Sequence, residues 1–159
     1  MTINSFLEKL KQTPTAITFS ETIAVIEENY TFIPTEFQNG TQHNATNENS
    51  GSCKLFAFTQ LQNLSQAETL ACFGAYYFEE VLKDPNGTNH QNIRNFINTG
   101  WNGIQFEGEA LLLKLYYLKD ATLNYHFKNI IYHESYFNIT NHCNVANTLL
   151  CTNKSHYLT

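Results

Sequence analysis

The chain has 159 residues, enough for one well-filled domain and too few for two. Hydrophobic residues make up 42% and aromatics 14%, which excludes wholesale disorder. Nine Lys and Arg stand against 14 Asp and Glu, Arg94 is the one arginine, and the net charge is -5; without clustered cations, no nucleic-acid partner is expected. No apolar run approaches the roughly 18–20 residues that cross a bilayer, so no membrane span is expected either. The run from Ala110 to Leu118 is broken by Lys114. The first residues lack a charged region followed by an apolar one, so a Sec signal is not expected, and the reading places the chain in the cytoplasm. In that compartment Cys53, Cys72, Cys143 and Cys151 are expected as reduced thiols, two of them in the core.

The predicted elements run as follows. Phe6 to Leu10 reads as a short helix stopped before Pro14. Ser20 is a candidate cap for a second, in which Ile23, Ile26 and Tyr30 form an apolar stripe. Pro34 forbids its continuation, and Tyr30 to Asn39 is expected to be extended with Phe32 and Phe37 turned inward. Residues 39–52 form a polar loop. Ser50 or Ser52 could cap the next helix, predicted over 53–62 with Leu55, Phe56, Phe58 and Leu61. Ser65 and Glu68 stand at capping-box spacing and open a predicted long helix through Leu70, Phe73, Tyr77 and Val81. Asp84-Pro85-Asn86-Gly87 is a turn signal, because Pro presets one φ and Gly tolerates a positive one. A last helix is predicted from about Asn89 to Thr99, with Ile93, Phe96 and Ile97 facing in. Gly100 ends it, and Trp101 to Ile104 reads as a turn.

Alternating patterns are scarce, so the expected fold is mainly α, a compact helical domain with long polar loops and room for one minor short β element. Composition breaks near residue 109. All 7 Gly, all 3 Pro and the single Trp precede it. Residues 1–110 are therefore read as the domain. Residues 111–159 are read as a C-terminal extension, lineage-specific or weakly ordered and partly helical, with Ala110 to Asn129 at helical spacing.

The segments Thr22–Glu27, Tyr30–Gly40, Asn47–Lys54, Thr69–Tyr77, Val81–Gly87, His90–Phe96 and Gly100–Gly108 follow one another in an order that resembles the HopJ type III effector family. The resemblance covers essentially residues 3–110. It implies a shared fold and, through the family's namesake, delivery by a bacterial type III secretion system into a host cell. It carries no catalytic residue set to this chain.

Candidate site residues come from the polar stretches. Asn47, Glu48, Asn49 and Ser52 could wall a pocket, although a loop closed by its own cap is the plainer reading. His90 and Arg94 are four apart and share a helix face; with Asn92 they could grip a carboxylate or phosphate. The plainer role for Arg94 is an ion pair with an acid of Glu79 to Asp84. Tyr76 is free to line a groove, because Tyr76, Tyr77 and Phe78 cannot all face the core. Trp101 completes the candidate set. Cys53 near a helix start, with His90, would suit a nucleophile and base, but 37 positions separate them and nothing in the sequence brings them together. Glu79, Glu80, His43 and His90 lack metal-ligand spacing, as do His142, Cys143, Cys151 and His156. No catalytic residue, metal or cofactor is assigned.

Two functions follow as expectations. The first is a non-enzymatic domain that acts by binding an unidentified protein partner. The second is a cytoplasmic housekeeping domain, or an enzyme, that binds a small anionic ligand or metal in a polar pocket between the 39–54 loop and the 90–101 helix. Oligomeric state is left open by the residues.

Overall fold

The computed structural model describes residues 1–114, which form one compact unit. Helix α1 spans Ile3–Gln12 and buries Phe6 and Leu10. A short 3-10 turn at Pro14–Ala16 leads to α2, Phe19–Asn29. The cap of α2 is Thr18 rather than Ser20. Thr18 and Glu21 form a reciprocal capping box that starts the helix two residues earlier than the apolar stripe implied. The chain then extends through β1, Tyr30–Phe32, and β2, Phe37–Asn39. Gly40 turns it at φ +58, as a two-residue hairpin loop requires, into β3, Gln42–Asn44. Helix α3, Ser50–Leu61, follows, then α4, Gln66–Ala71, which carries the predicted Ser65–Glu68 capping box. A π-helical turn at Tyr76–Val81 precedes α5, Gln91–Thr99. A 3-10 turn at Gly100–Gly103, β4 at Ile104–Phe106 and β5 at Leu111–Leu113 complete the described chain.

The described residues are mixed α/β, about 54% helix and 13% strand, which overturns the mainly α expectation. Two small antiparallel sheets account for the difference. One has the order β3-β2-β4 and the other pairs β1 with β5. In the first, Phe37 faces Asn44 on one side and Phe106 on the other. Each strand has three residues, too few for an alternating pattern to register in sequence. Their partners also lie far away along the chain: Tyr30 pairs with Leu113, and Asn39 with Ile104.

The predicted long helix after Ser65 is interrupted. Gly74 adopts φ +57, and a Cβ there would lie 2.9 Å from the Ile17 carbonyl oxygen and the Phe19 nitrogen. Helix α4 ends before it, and this close approach docks the start of α2 on the turn between α4 and Tyr76. The expected helix over Ala110–Asn129 is overturned at its beginning, because Leu111–Leu113 pairs with β1. The rest of that stretch, with His142, Cys143, Cys151 and His156, lies outside the described residues.

Rings fill the core. Phe56 is fully buried and sits against Phe37, Phe73 and Phe96, with centroids 6.2, 5.5 and 4.9 Å away. It thereby joins β2, the end of α4 and α5 around α3. Half of α3 is buried, including the unbroken run from Leu55 to Thr59, so its apolar residues form no single stripe.

Replacing Gly74 by Ala forces both a left-handed backbone and a backbone clash, so the Gly74→Ala chain should be less stable by about 2 kcal/mol or more in urea unfolding. An unchanged midpoint would show that the contact is not tight. A second expectation concerns acid. Lys9 first, and then the Thr18 backbone and hydroxyl, hold the Glu21 carboxyl below its ordinary value of 4.5; the Ser65 hydroxyl and N–H do the same for Glu68. Both depressed groups contribute stability above the unfolded value that is lost as pH falls through their folded values. The Glu21→Gln/Glu68→Gln chain should therefore be less stable than wild type at neutral pH, with the gap closing below about pH 4. A gap that stays constant with pH would contradict this assignment.

Candidate functional site

A cleft of about 380 Å3 opens where the starts of α2, α3 and α5 meet. Its volume falls in the range of small-molecule sites. One wall is aromatic. Phe19 stacks on Phe73 at 6.2 Å and meets Tyr76 edge-on at 5.3 Å, and the Tyr76 ring lies 5.1 Å from that of His90. Phe19 and Tyr76 are partly open, while Phe73 is buried. The facing wall is made of two helix first turns: Asn49, Gly51 and Ser52 at α3, and Gln91, Asn92 and Ile93 at α5. Gln42 stands with them. Gly51 matters for space, because a Cβ there would sit 2.9 Å from the tip of the Phe19 ring.

Both helices begin abnormally. Their cap residues, Asn49 and His90, adopt φ 47 and φ 53, in the left-handed region that non-glycine residues rarely enter. Neither side chain accepts a hydrogen bond from its own helix. The backbone N–H groups of Gly51, Ser52, Gln91 and Asn92 have no partner among the described residues. Such groups carry the positive end of the helix dipole.

A layer of buried amides lies behind these turns. The Asn44 side-chain oxygen accepts from the amides of both Asn49 and Asn92 at 2.7 Å. The Asn44 amide donates to the Phe37 and Gln42 carbonyls and to Asn92 Oδ1. Asn39 donates to the carbonyl and Oδ1 of Asn92. Asn39, Asn44 and Asn92 are all buried.

Of the residues singled out from sequence, Asn49, Ser52, Tyr76, His90 and Asn92 line the cleft. Asn47, Glu48, Arg94 and Trp101 do not. The Asn47 carbonyl accepts from the Ser50 hydroxyl, and Glu48 accepts from the Ala45 N–H, so both close the loop on itself. Arg94 spends its guanidinium on the carbonyls of Asp84, Pro85 and Asn89 and on Asn89 Oδ1. It staples the 84–89 turn through backbone oxygens instead of the expected acid. The Trp101 indole donates to the Leu64 carbonyl and packs edge-on against Phe96. Sequence reasoning missed Phe19, Phe73, Gln42, Gly51, Gln91 and Ile93. Phe73 reads as a core residue of the predicted long helix and Phe19 carries no signal of its own; the close approach of Gly74 to the Ile17–Phe19 backbone brings the two rings to the same wall.

Cys53 and His90 do not form a nucleophile and base. Cys53 is buried, its thiol donates to the Thr35 carbonyl, and burial pushes its pKa up. His90 Nε2 lies 2.7 Å from Glu80 Oε2. Glu79 pairs with Lys83 one turn along. Among the described residues no three His, Cys, Asp or Glu side chains gather as a metal site. No described helix is long and apolar enough to cross a membrane.

These features define a small mixed α/β domain with an amphipathic cleft at the meeting of three helix starts. The chain belongs to the HopJ type III effector protein family, whose model matches residues 3–111. It is also similar to a solved structure, the crystal structure of VPA0580, a protein of unknown function. That match has 54% identity and a TM-score of 0.71, and covers 72% of this chain and 95% of the other. No curated protein matches this chain.

The two described thiols should be inert. Burial pushes the Cys72 thiol up to about 12, with the Thr22 hydroxyl opposing the shift, and Cys53 is raised by the same desolvation. A thiolate-selective reagent at pH 8 should leave both unmodified in the native chain and label both in denaturant, as read by peptide mass mapping. Native labelling of Cys53 at the rate of a free thiol would contradict its burial.

Proposed function

We propose that this HopJ-family domain binds a small anionic ligand in the cleft, with the charged group at the first turns of α3 and α5 and an apolar or flat portion against Phe19 and Tyr76. The observation that carries the reading is the concave meeting of two helix starts whose N–H groups lack partners. Oriented N–H groups at a helix start favour an anion, and the aromatic wall favours a body that sheds water. The Ser52 hydroxyl and the Gln42 amide add donors suited to an oxyanion. Glu80, held on His90, places a carboxylate near the Tyr76 side and disfavours a second negative charge there. The preferred ligand is thus singly headed: one carboxylate or phosphate on an apolar or aromatic frame. A protein partner that inserts an acidic side chain would exploit the same groups, but a cleft of about 380 Å3 has the size of a small-molecule site. Delivery through a type III apparatus, carried by the family's name, joins this reading as the route by which such a domain would meet its ligand in a host cell.

Phenyl phosphate is a direct probe, with inorganic phosphate and phenol as its two halves. Phenyl phosphate should raise the melting temperature of the full chain and shift the amide resonances of Gly51, Ser52, Gln91 and Asn92. Each half should do so more weakly, by at least about tenfold in affinity. Gly51→Val fills the space before Phe19 and should abolish the effect. Millimolar phenyl phosphate that leaves all four amides unmoved would overturn the reading.

A further inference from the structure

Asn49 is an odd helix cap. Asparagine is among the best residues at this position because its side chain can accept from the helix's own N–H groups. Here that bond is absent, and the Asn49 amide instead donates to Asn44 Oδ1 at 2.7 Å. The same oxygen takes the Asn92 amide, also at 2.7 Å, from the first turn of α5. Asn44 and Asn92 exchange two hydrogen bonds, because the Asn44 amide returns one to Asn92 Oδ1. The orientation of the Asn44 amide is fixed from behind: its nitrogen faces the carbonyls of Phe37 and Gln42, which only accept.

This arrangement costs desolvation that apolar side chains of similar volume would avoid. It does what apolar packing cannot, since directional bonds from one atom set the spacing of two helix starts. It also takes the Asn49 side chain away from its own helix, whose first-turn N–H groups at Gly51 and Ser52 have no partner among the described residues and belong to residues that line the cleft. We infer that Asn44 is the positioning residue of this cleft, holding the open starts of α3 and α5 at a fixed separation so that both reach the same bound anion. The inference rests on the ligand reading above for its purpose but not for its geometry.

The test uses the full chain and two measurements. The first is amide hydrogen exchange at Cys53, which donates to the Asn49 carbonyl, and at Ile93 and Arg94, which donate to the His90 carbonyl. Asn44→Ala should speed exchange at all three together, by at least about tenfold beyond the change in global unfolding. Asn49→Gly keeps the left-handed backbone but removes one arm, and should speed Cys53 alone. The second measurement is phenyl phosphate affinity, which both variants should weaken by about tenfold or more. Leu10→Ala, in the core on α1, serves as a control that lowers the melting temperature without changing affinity. Should Asn44→Ala fail to fold, Asn49→Gly carries both readouts. Unchanged exchange at both helix starts in Asn44→Ala, or at Cys53 in Asn49→Gly, would overturn the inference, as would an affinity loss matched by Leu10→Ala. Coupled exchange in a wild-type chain that ignores phenyl phosphate would support the clamp and sink the ligand reading alone.

Discussion

The ring of Phe56 is the constraint around which the described fold is arranged. It has no exposure to water and touches rings from β2, the end of α4 and α5. Those elements are otherwise separated by long polar stretches, and none could bury its own apolar residues alone. Packing them on one central side chain fixes where α3 must lie, and α3 then brings its first turn to the mouth of the molecule. Aromatic contacts of this kind are worth more than their area because the rings also prefer particular angles. The tilted and edge-on geometries around Phe56 fit that preference.

A cluster of buried amides supports the first turns of α3 and α5 at the cleft. Asn39 and Asn44 are buried as deeply as the rings and Asn92 nearly so, and they bond almost entirely to one another and to backbone carbonyls. Among the described buried side chains, only Asn39 Oδ1 lacks a partner. A layer so nearly satisfied resists sliding, because any shift breaks several bonds at once in a medium that offers no replacement. The cleft in front of it is therefore built on a stiff back. Its strained features, Asn49 and His90 in the left-handed region, sit on that support.

Family membership and the 54% identical solved structure place the fold securely, and neither brings a chemical activity. The functional reading has to come from the side chains. Arg94, the one arginine, is by sequence a candidate for gripping an anion or for pairing with a nearby acid, yet it is committed to the oxygens of the 84–89 turn. The donors left over are backbone groups, which no count of charged residues would reveal.

Local chemistry was legible without coordinates. The Ser65–Glu68 capping box, the turn at Pro85, the burial of Phe37, Phe56 and Phe96, and five of the nine candidate residues at the cleft follow from propensities that act within a few positions. Strand pairing was not legible, because Tyr30 with Leu113 and Asn39 with Ile104 are contacts between distant segments three residues long. The break at Gly74 was equally hidden, since it exists only because the backbone of Ile17 to Phe19 comes to rest against it. So the amino-acid order settles which residues prefer the interior and where helices can start. The meeting of two helix starts on one asparagine oxygen is settled only when the whole chain has packed, because hydrogen bonds over such separations have no local signal.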